Sequence, residues 1–287
     1  VGIDRLGRNR EAPSSPEWQQ RPSATRFVKD MKQPHHFEST LASAPQMPTH
    51  VCVCGYSRSG TTLFYNMLRT TVTNFMFVEN ECRAGSVIGE TLDSYVTKRP
   101  LDIFAFDNIV RKNVFEKPLW FVIMIRDIRA VITSRHVAVP DDYFVAWDHQ
   151  YFIEGQTATF TNPGVLAIDE AISYVKSHAE LSPIVLKYED LLRDSDAVQR
   201  ELGRQIGFRY SGSFGQFFEH DIPERLQRAL NGKRPVDLRN IDAWRAPQHR
   251  ERIRQQFLAC PALFSILREY GYEQDDSWFE EYRAEVP

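Results

Sequence analysis

The sequence predicts an α/β fold with a central parallel sheet flanked by helices, and three observations carry that prediction. Leu119–Ile125 (LWFVIMI) is an uninterrupted apolar run, as expected of a strand covered on both faces. His50–Tyr56 is a second β-rich run; it ends in a Gly/Ser turn, after which Thr62–Thr71 places Leu63, Met67 and Leu68 at helical spacing. Strand-like runs keep alternating with helical stretches over most of the chain, the pattern of parallel βαβ units.

The other elements follow in order. Asn74–Val78 reads as a short strand, and residues 101–116 read as helical. A helical stretch at 129–137 follows the 119–125 strand, then comes irregular, aromatic-rich sequence to about residue 160. Asn162-Pro163 is a helix-start signal, an Asn cap with Pro at the first position, for a helix running to about Glu180. Pro183–Tyr188 (PIVLKY) is another buried strand, Asp196–Ile206 a helix, and the C-terminal stretch is helical with a break at Pro261. Residues 1–48 stand apart. They carry six of the sixteen prolines (Pro13, Pro16, Pro22, Pro34, Pro45, Pro48) and no sustained apolar period, which predicts an extended arm with at most a helical turn near Phe27–Met31. One domain is expected over residues 49–287, and no internal repeat is found.

Composition limits the function. The 287 residues are 42% hydrophobic and 12% aromatic, ample for an enzyme-sized core. Thirty-five basic against 38 acidic residues give a net charge of −3, which argues against a dedicated nucleic-acid binder. No run of about 18 apolar residues exists, so no membrane span is expected. Four cysteines do not make a disulfide scaffold in a chain this long. Cys52 and Cys54 would point to one face of a strand about 6.6 Å apart, at the edge of disulfide geometry. Buried, reduced thiols and a cytoplasmic setting are expected. The charge is uneven: residues 225–254 hold nine basic residues (Arg225, Arg228, Lys233, Arg234, Arg239, Arg245, Arg250, Arg252, Arg254) against three acidic ones. Such a stretch suits a ligand with more than one phosphate, although ordinary solvated helix faces account for part of it.

The strongest local signal is Gly55-Tyr-Ser-Arg-Ser-Gly60-Thr61-Thr62, between the first strand and the first helix. Its spacing is that of a phosphate loop, G-x-x-x-x-G-K-[ST], with Thr61 where the lysine belongs. Glycines let the backbone N–H groups face an anion, and the helix N-terminus adds a favourable dipole. Without the lysine that reaches the β- and γ-phosphates, a small-molecule kinase is a weaker reading. The cation inside the loop is Arg58.

The segment GYSRSGTTLFYNML resembles the 5′-phosphosulfate-binding loop of the sulfotransferases that use 3′-phosphoadenosine 5′-phosphosulfate (PAPS), in its R-S-G-T-T form. That form is closer to the carbohydrate- and tyrosyl-type members than to those acting on small phenols. IRDIRAVITSRH resembles the same family's 3′-phosphate motif, an arginine followed eight residues later by a serine, here Arg126 and Ser134. Arg126 falls at the C-terminal end of a buried strand, where open α/β sheets bind ligands. VLKYEDLLRD resembles the family's strand-plus-turn, with an architectural role for Tyr188, Glu189 and Asp190. The resemblance implies a phosphate-loop sulfotransferase-like fold, PAPS as co-substrate, adenosine 3′,5′-bisphosphate (PAP) as product, no metal, and an acceptor hydroxyl on a carbohydrate or glycolipid.

For the site, the resemblance implies that Ser57, Arg58, Ser59, Gly60, Thr61 and Thr62 hold the 5′-phosphate, with Arg58 as leaving-group cation. Arg126 and Ser134 would hold the 3′-phosphate. Arg239 and Arg245 are weaker candidates, the latter within Asp242-Ala-Trp244-Arg245, which resembles a late Trp-Lys/Arg element that covers the nucleotide. For the base, family members of this type can use a glutamate about twenty residues past the loop, which indicates Glu79 or, with two residues inserted, Glu81 next to Arg83. His136 and His149 are the other candidates. Tyr143, Phe144, Trp147, Tyr151 and Phe152 either stack on acceptor rings or belong to the core. From another class, a catalytically silent nucleotide- or glycan-binding module would share the loop.

Overall fold

The computed structural model describes residues 47–136, 143–152, 159–178, 181, 183–230 and 232–283, all within the unit Pro45–Pro287. The expected arm lies outside the described residues, apart from Met47 and Pro48. The frame is a five-stranded parallel sheet in the order β2-β3-β1-β4-β7. Its strands are β1 (His50–Gly55), β2 (Met76–Phe77), β3 (Tyr95–Lys98), β4 (Leu119–Ile125) and β7 (Ile184–Lys187). An antiparallel hairpin of β5 (His149–Phe152) and β6 (Thr159–Asn162) stands separately.

The helices are α1 (Thr61–Thr71), α2 (Phe106–Lys112), α3 (Ile128–Ile132), α4 (Val165–Lys176), α5 (Tyr188–Arg193) and α6 (Ser195–Ile206). They are followed by α7 (Glu224–Ala229), α8 (Arg250–Ala259), α9 (Ala262–Glu269) and α10 (Glu280–Arg283). Period-2 alternation in β1 and β4 feeds two cores. Cys52, Cys54, Phe121, Ile123 and Ile125 pack with residues of α2, α4, α8 and α9. Val51, Val53, Val122 and Met124 pack with Phe64, Met67 and Leu68 of α1 and with Leu202 and Ile206 of α6. Both faces of these strands are therefore covered, which is why their sequences are apolar throughout.

The topology also places the site. From β1 the chain crosses to β2 and β3 on one side of the sheet, and from β4 to β7 on the other. The crevice thus opens at the C-terminal ends of β1 and β4, whose last pairing is Gly55 with Met124.

Several elements differ from the sequence expectation. The stretch 101–116 divides into a 3-10 segment, Pro100–Ala105, and α2. Asn162 is not a helix cap. It ends β6, its side chain donates to Tyr143 O at 3.1 Å, and α4 begins three residues later and stops at Lys176. The helix expected at 129–137 is the shorter α3, capped by Asp127, whose carboxylate accepts from Arg129 N. α6 starts one residue earlier than expected because Asp194 accepts from Ala197 N at 2.8 Å. Cys52, Cys54, Cys82 and Cys260 are all free thiols. No helix among the described residues is long and apolar enough to cross a membrane.

Candidate functional site

The loop from Gly55 to Thr62 leaves β1 and enters α1, and its shape rests on two glycines. Gly55 has φ +119°, and a Cβ there would lie 2.3 Å from Met124 O. Gly60 has φ +83°, and a Cβ there would lie 2.4 Å from Cδ2 of Tyr188. Arg58 also sits at positive φ, 66°, an unfavourable region for a side chain of its size. Ser59 is fully buried and its hydroxyl donates to Tyr56 O at 2.7 Å, so this side chain builds the loop. No side chain caps α1 at Gly60, which leaves its first turn open to an anion.

Two arginines meet at this loop. Arg126, just past β4, donates through one Nη to Arg58 O at 3.1 Å and through the other to Asn240 O at 2.9 Å. Its guanidinium lies over the Tyr188 ring at 4.3 Å. Its Nε is buried and has no hydrogen-bond partner among the described residues. Arg58 donates from Nε to Ser134 Oγ at 2.8 Å, and its guanidinium stands 5.8 Å from the Phe144 ring. Burial and then the Arg126 charge lower the Arg58 pKa from its usual value. Among the described residues no carboxylate pairs with either arginine. Two like charges held together with a buried donor unused are chemically complementary to a bound anion.

These groups line a cavity of about 820 Å³. On the β3 side its wall carries Glu81, Arg83, Lys98 and Arg99; beyond β4 it carries His136, Tyr188, Arg234 and Asn240. Its carboxylates among the described residues are Glu81 and Asp237, and each is already engaged. Glu81 accepts from Lys98 Nζ at 2.5 Å, with the lysine side chain only 6% exposed. Asp237 accepts from Arg239 at 2.9 Å. The Cys82 thiol, also on the wall, is pushed up to about 11 by burial and the nearby Asp102 and Glu81 charges, which makes it a poor nucleophile.

Ser57, Arg58, Gly60, Thr61, Thr62 and Arg126 share this wall; Ser59 does not. Ser134 reaches the site through Arg58. Both glutamates are exposed, but Glu81 lines the cavity and Glu79 is off its wall. His136 is on the wall, its pKa lowered by burial and then by Arg58; His149 is on β5, off the wall. Tyr143 and Phe144 line the cavity, Trp147 is exposed, and the side chains of Tyr151 and Phe152 lie outside the described residues. Arg239 is 91% exposed on Asp237. Arg245 lies 4.3 Å over Trp244 and pairs with Asp242 at 3.2 Å. Neither of these two arginines lines the cavity. Lys98 and Arg99 carry no local signal, because Tyr95–Lys98 lacks strand alternation and it is the C-terminal end of a strand that gives such side chains their place.

With this geometry in place, the fold is a sulfotransferase-like, phosphate-loop α/β fold. Among solved structures the chain is similar to the sulfotransferase domain from the Synechococcus PCC 7002 olefin synthase. The match has 14% identity and a TM-score of 0.50, over 69% of this chain and 87% of that one. It is also similar to the sulfotransferase domain from the curacin biosynthetic pathway, at 12% identity and a TM-score of 0.49, over 70% and 91% of the two chains. No protein-family model and no curated protein matches the sequence.

Proposed function

We propose that the chain transfers the sulfuryl group of PAPS to an acceptor hydroxyl on a carbohydrate or glycolipid. The observation that carries this reading is the Arg58–Arg126 pair, two guanidiniums with no carboxylate partner among the described residues, at the mouth of a lysine-free phosphate loop. PAPS would supply a sulfuryl group on a good leaving phosphate. The loop N–H groups, Thr61 and Thr62 bind the 5′-phosphate, and Arg58 neutralises charge as the leaving group departs. Arg126 and Arg234 serve the remaining phosphate charge. Glu81 takes the acceptor proton, and its hydrogen bond from Lys98 Nζ fixes the carboxyl group in place on the cavity wall. Glu79, off the cavity wall, is the less favoured base.

The test is thermal unfolding with nucleotides. PAP should raise the Tm by several degrees, while ATP with magnesium should shift it little. Equal shifts, or a larger one with ATP, would sink the proposal.

A further inference from the structure

The residues that touch the cavity alternate with residues that turn away from it, and three of the latter lead to one place. Tyr56, next to Ser57 in the loop, is fully buried and its hydroxyl donates to Asp169 Oδ1 at 2.6 Å. Tyr270 donates to the same oxygen at 2.9 Å. Glu189, next to Tyr188, is buried; its Oε1 accepts from Asp127 N at 3.1 Å and its Oε2 from the Tyr272 hydroxyl at 2.8 Å. Asp127, next to Arg126, grips the buried Arg129 through Oδ2 at 2.7 Å, and Arg129 also donates to Glu273 Oε1 at 2.5 Å.

Tyr270, Tyr272 and Glu273 all belong to the turn that closes α9. Gly271 at φ +66° makes the reversal, and Leu267 O accepts from Tyr272 N at 2.8 Å and from Glu273 N at 3.3 Å, which fixes the turn. Three side chains of one turn, distant in sequence from every loop motif, thus reach the ends of β1, β4 and β7 directly or through Asp169 and Arg129.

We propose that Tyr270-Gly271-Tyr272-Glu273 is a positioning clasp for the anion site, holding the phosphate loop, the Arg126 strand end and Tyr188 in mutual register. The assignment of the anion as PAPS or PAP rests on the function proposed above; the clasp itself does not. Glu189 is buried and Asp169 half-buried, and burial pushes both carboxyls upward in pKa, so each depends on its hydroxyl donors. A shape-conserving Tyr→Phe change at 270 or 272 removes the donor that comes from the turn, keeps Tyr56 on Asp169 and leaves the packing.

The experiment compares the full chain with Tyr270→Phe, Tyr272→Phe, the double variant and Glu273→Gln. It reads amide hydrogen exchange without ligand, and separately PAP affinity. In the double variant, exchange should quicken about tenfold or more in segments 55–62 and 126–134 and change less than about twofold in α6. PAP should bind about tenfold more weakly. Unchanged exchange in the two segments, or an equal rise in α6, overturns the clasp, the latter because it reports general loosening. If the double variant does not fold, the single variants decide by the same criterion at about threefold. A wild-type chain that fails to bind PAP overturns the donor assignment while the exchange result still decides the clasp.

Discussion

Gly60→Ala probes the junction of loop, Tyr188 and Arg126 with one methyl group. Its φ of +83° costs an L side chain about 1–2 kcal/mol. The new Cβ would also stand 2.4 and 2.8 Å from Cδ2 and Cε2 of Tyr188, well inside contact distance, and the ring is held beneath Arg126 at 4.3 Å. Displacing that ring adds an overpacking cost of about 1–3 kcal/mol. Gly60→Ala should therefore destabilise the fold by about 2–5 kcal/mol. The two contributions separate in a double-mutant cycle with Tyr188→Ala, measured by urea unfolding. Removing the ring relieves the overlap but not the backbone strain, so in that background Gly60→Ala should cost only about 1–2 kcal/mol. The coupling should be about 1–3 kcal/mol; additivity within about 0.5 kcal/mol would refute the steric argument.

Three further outcomes are expected. Arg58→Ala removes charge-assisted hydrogen bonds worth about 1.5–3 kcal/mol, so PAP affinity should fall about 10- to 100-fold by calorimetry; an unchanged Kd would remove Arg58 from the anion site. Glu81→Gln should lower labelled-sulfate transfer from PAPS at least about 100-fold with PAP affinity kept, whereas Glu79→Gln should not; the reverse pattern returns the base to Glu79. His50 is buried on β1, its ring held neutral with a pKa of about 3 by burial and then by Lys117. The folded chain cannot take up the proton that unfolded His50 accepts below pH 6.5. Stability should accordingly be full above 6.5 and fall by about 2–3 kcal/mol between pH 6.5 and 4.5, a loss absent from His50→Gln; parallel pH profiles for the two proteins would contradict it.

How much of this was legible in the sequence depends on which period each residue obeys. β1, β4 and α1 were readable because apolar runs and helical spacing are local signals, and Leu119–Ile125 matches its predicted bounds. Tyr95–Lys98 is four residues in which one buried hydrophobe, Val96, is followed by two buried polar residues, Thr97 and Lys98, so no alternation marks it. Its invisibility hid Lys98. The β5–β6 hairpin was hidden for a similar reason, having neither a two-residue turn signal nor a clean alternation. The phosphate loop was legible because glycines at fixed spacing report backbone geometry directly. The distinction between Glu79 and Glu81 was not, since it depends on where the chain turns after β2, and no local rule fixes that. Asp169 and Glu273 were silent because their partners are 101 to 144 residues away in sequence, whereas Glu189 was named only through the family resemblance.

The near-neutral net charge was the least informative number of all, and the cavity shows why. Its two acids are neutralised where they stand, Glu81 by Lys98 and Asp237 by Arg239. Arg58 and Arg126 have no carboxylate partner among the described residues, and there the side chains of Arg83 and Arg234 on the same wall make no hydrogen bond or ion pair either. A chain at −3 therefore presents a concave surface of positive potential, and a low-dielectric cleft focuses that field where an exposed patch would lose it to salt. The whole-chain charge averages this away, because the acidic residues that bring the sum to −3 are, apart from Glu81 and Asp237, off the described cavity wall.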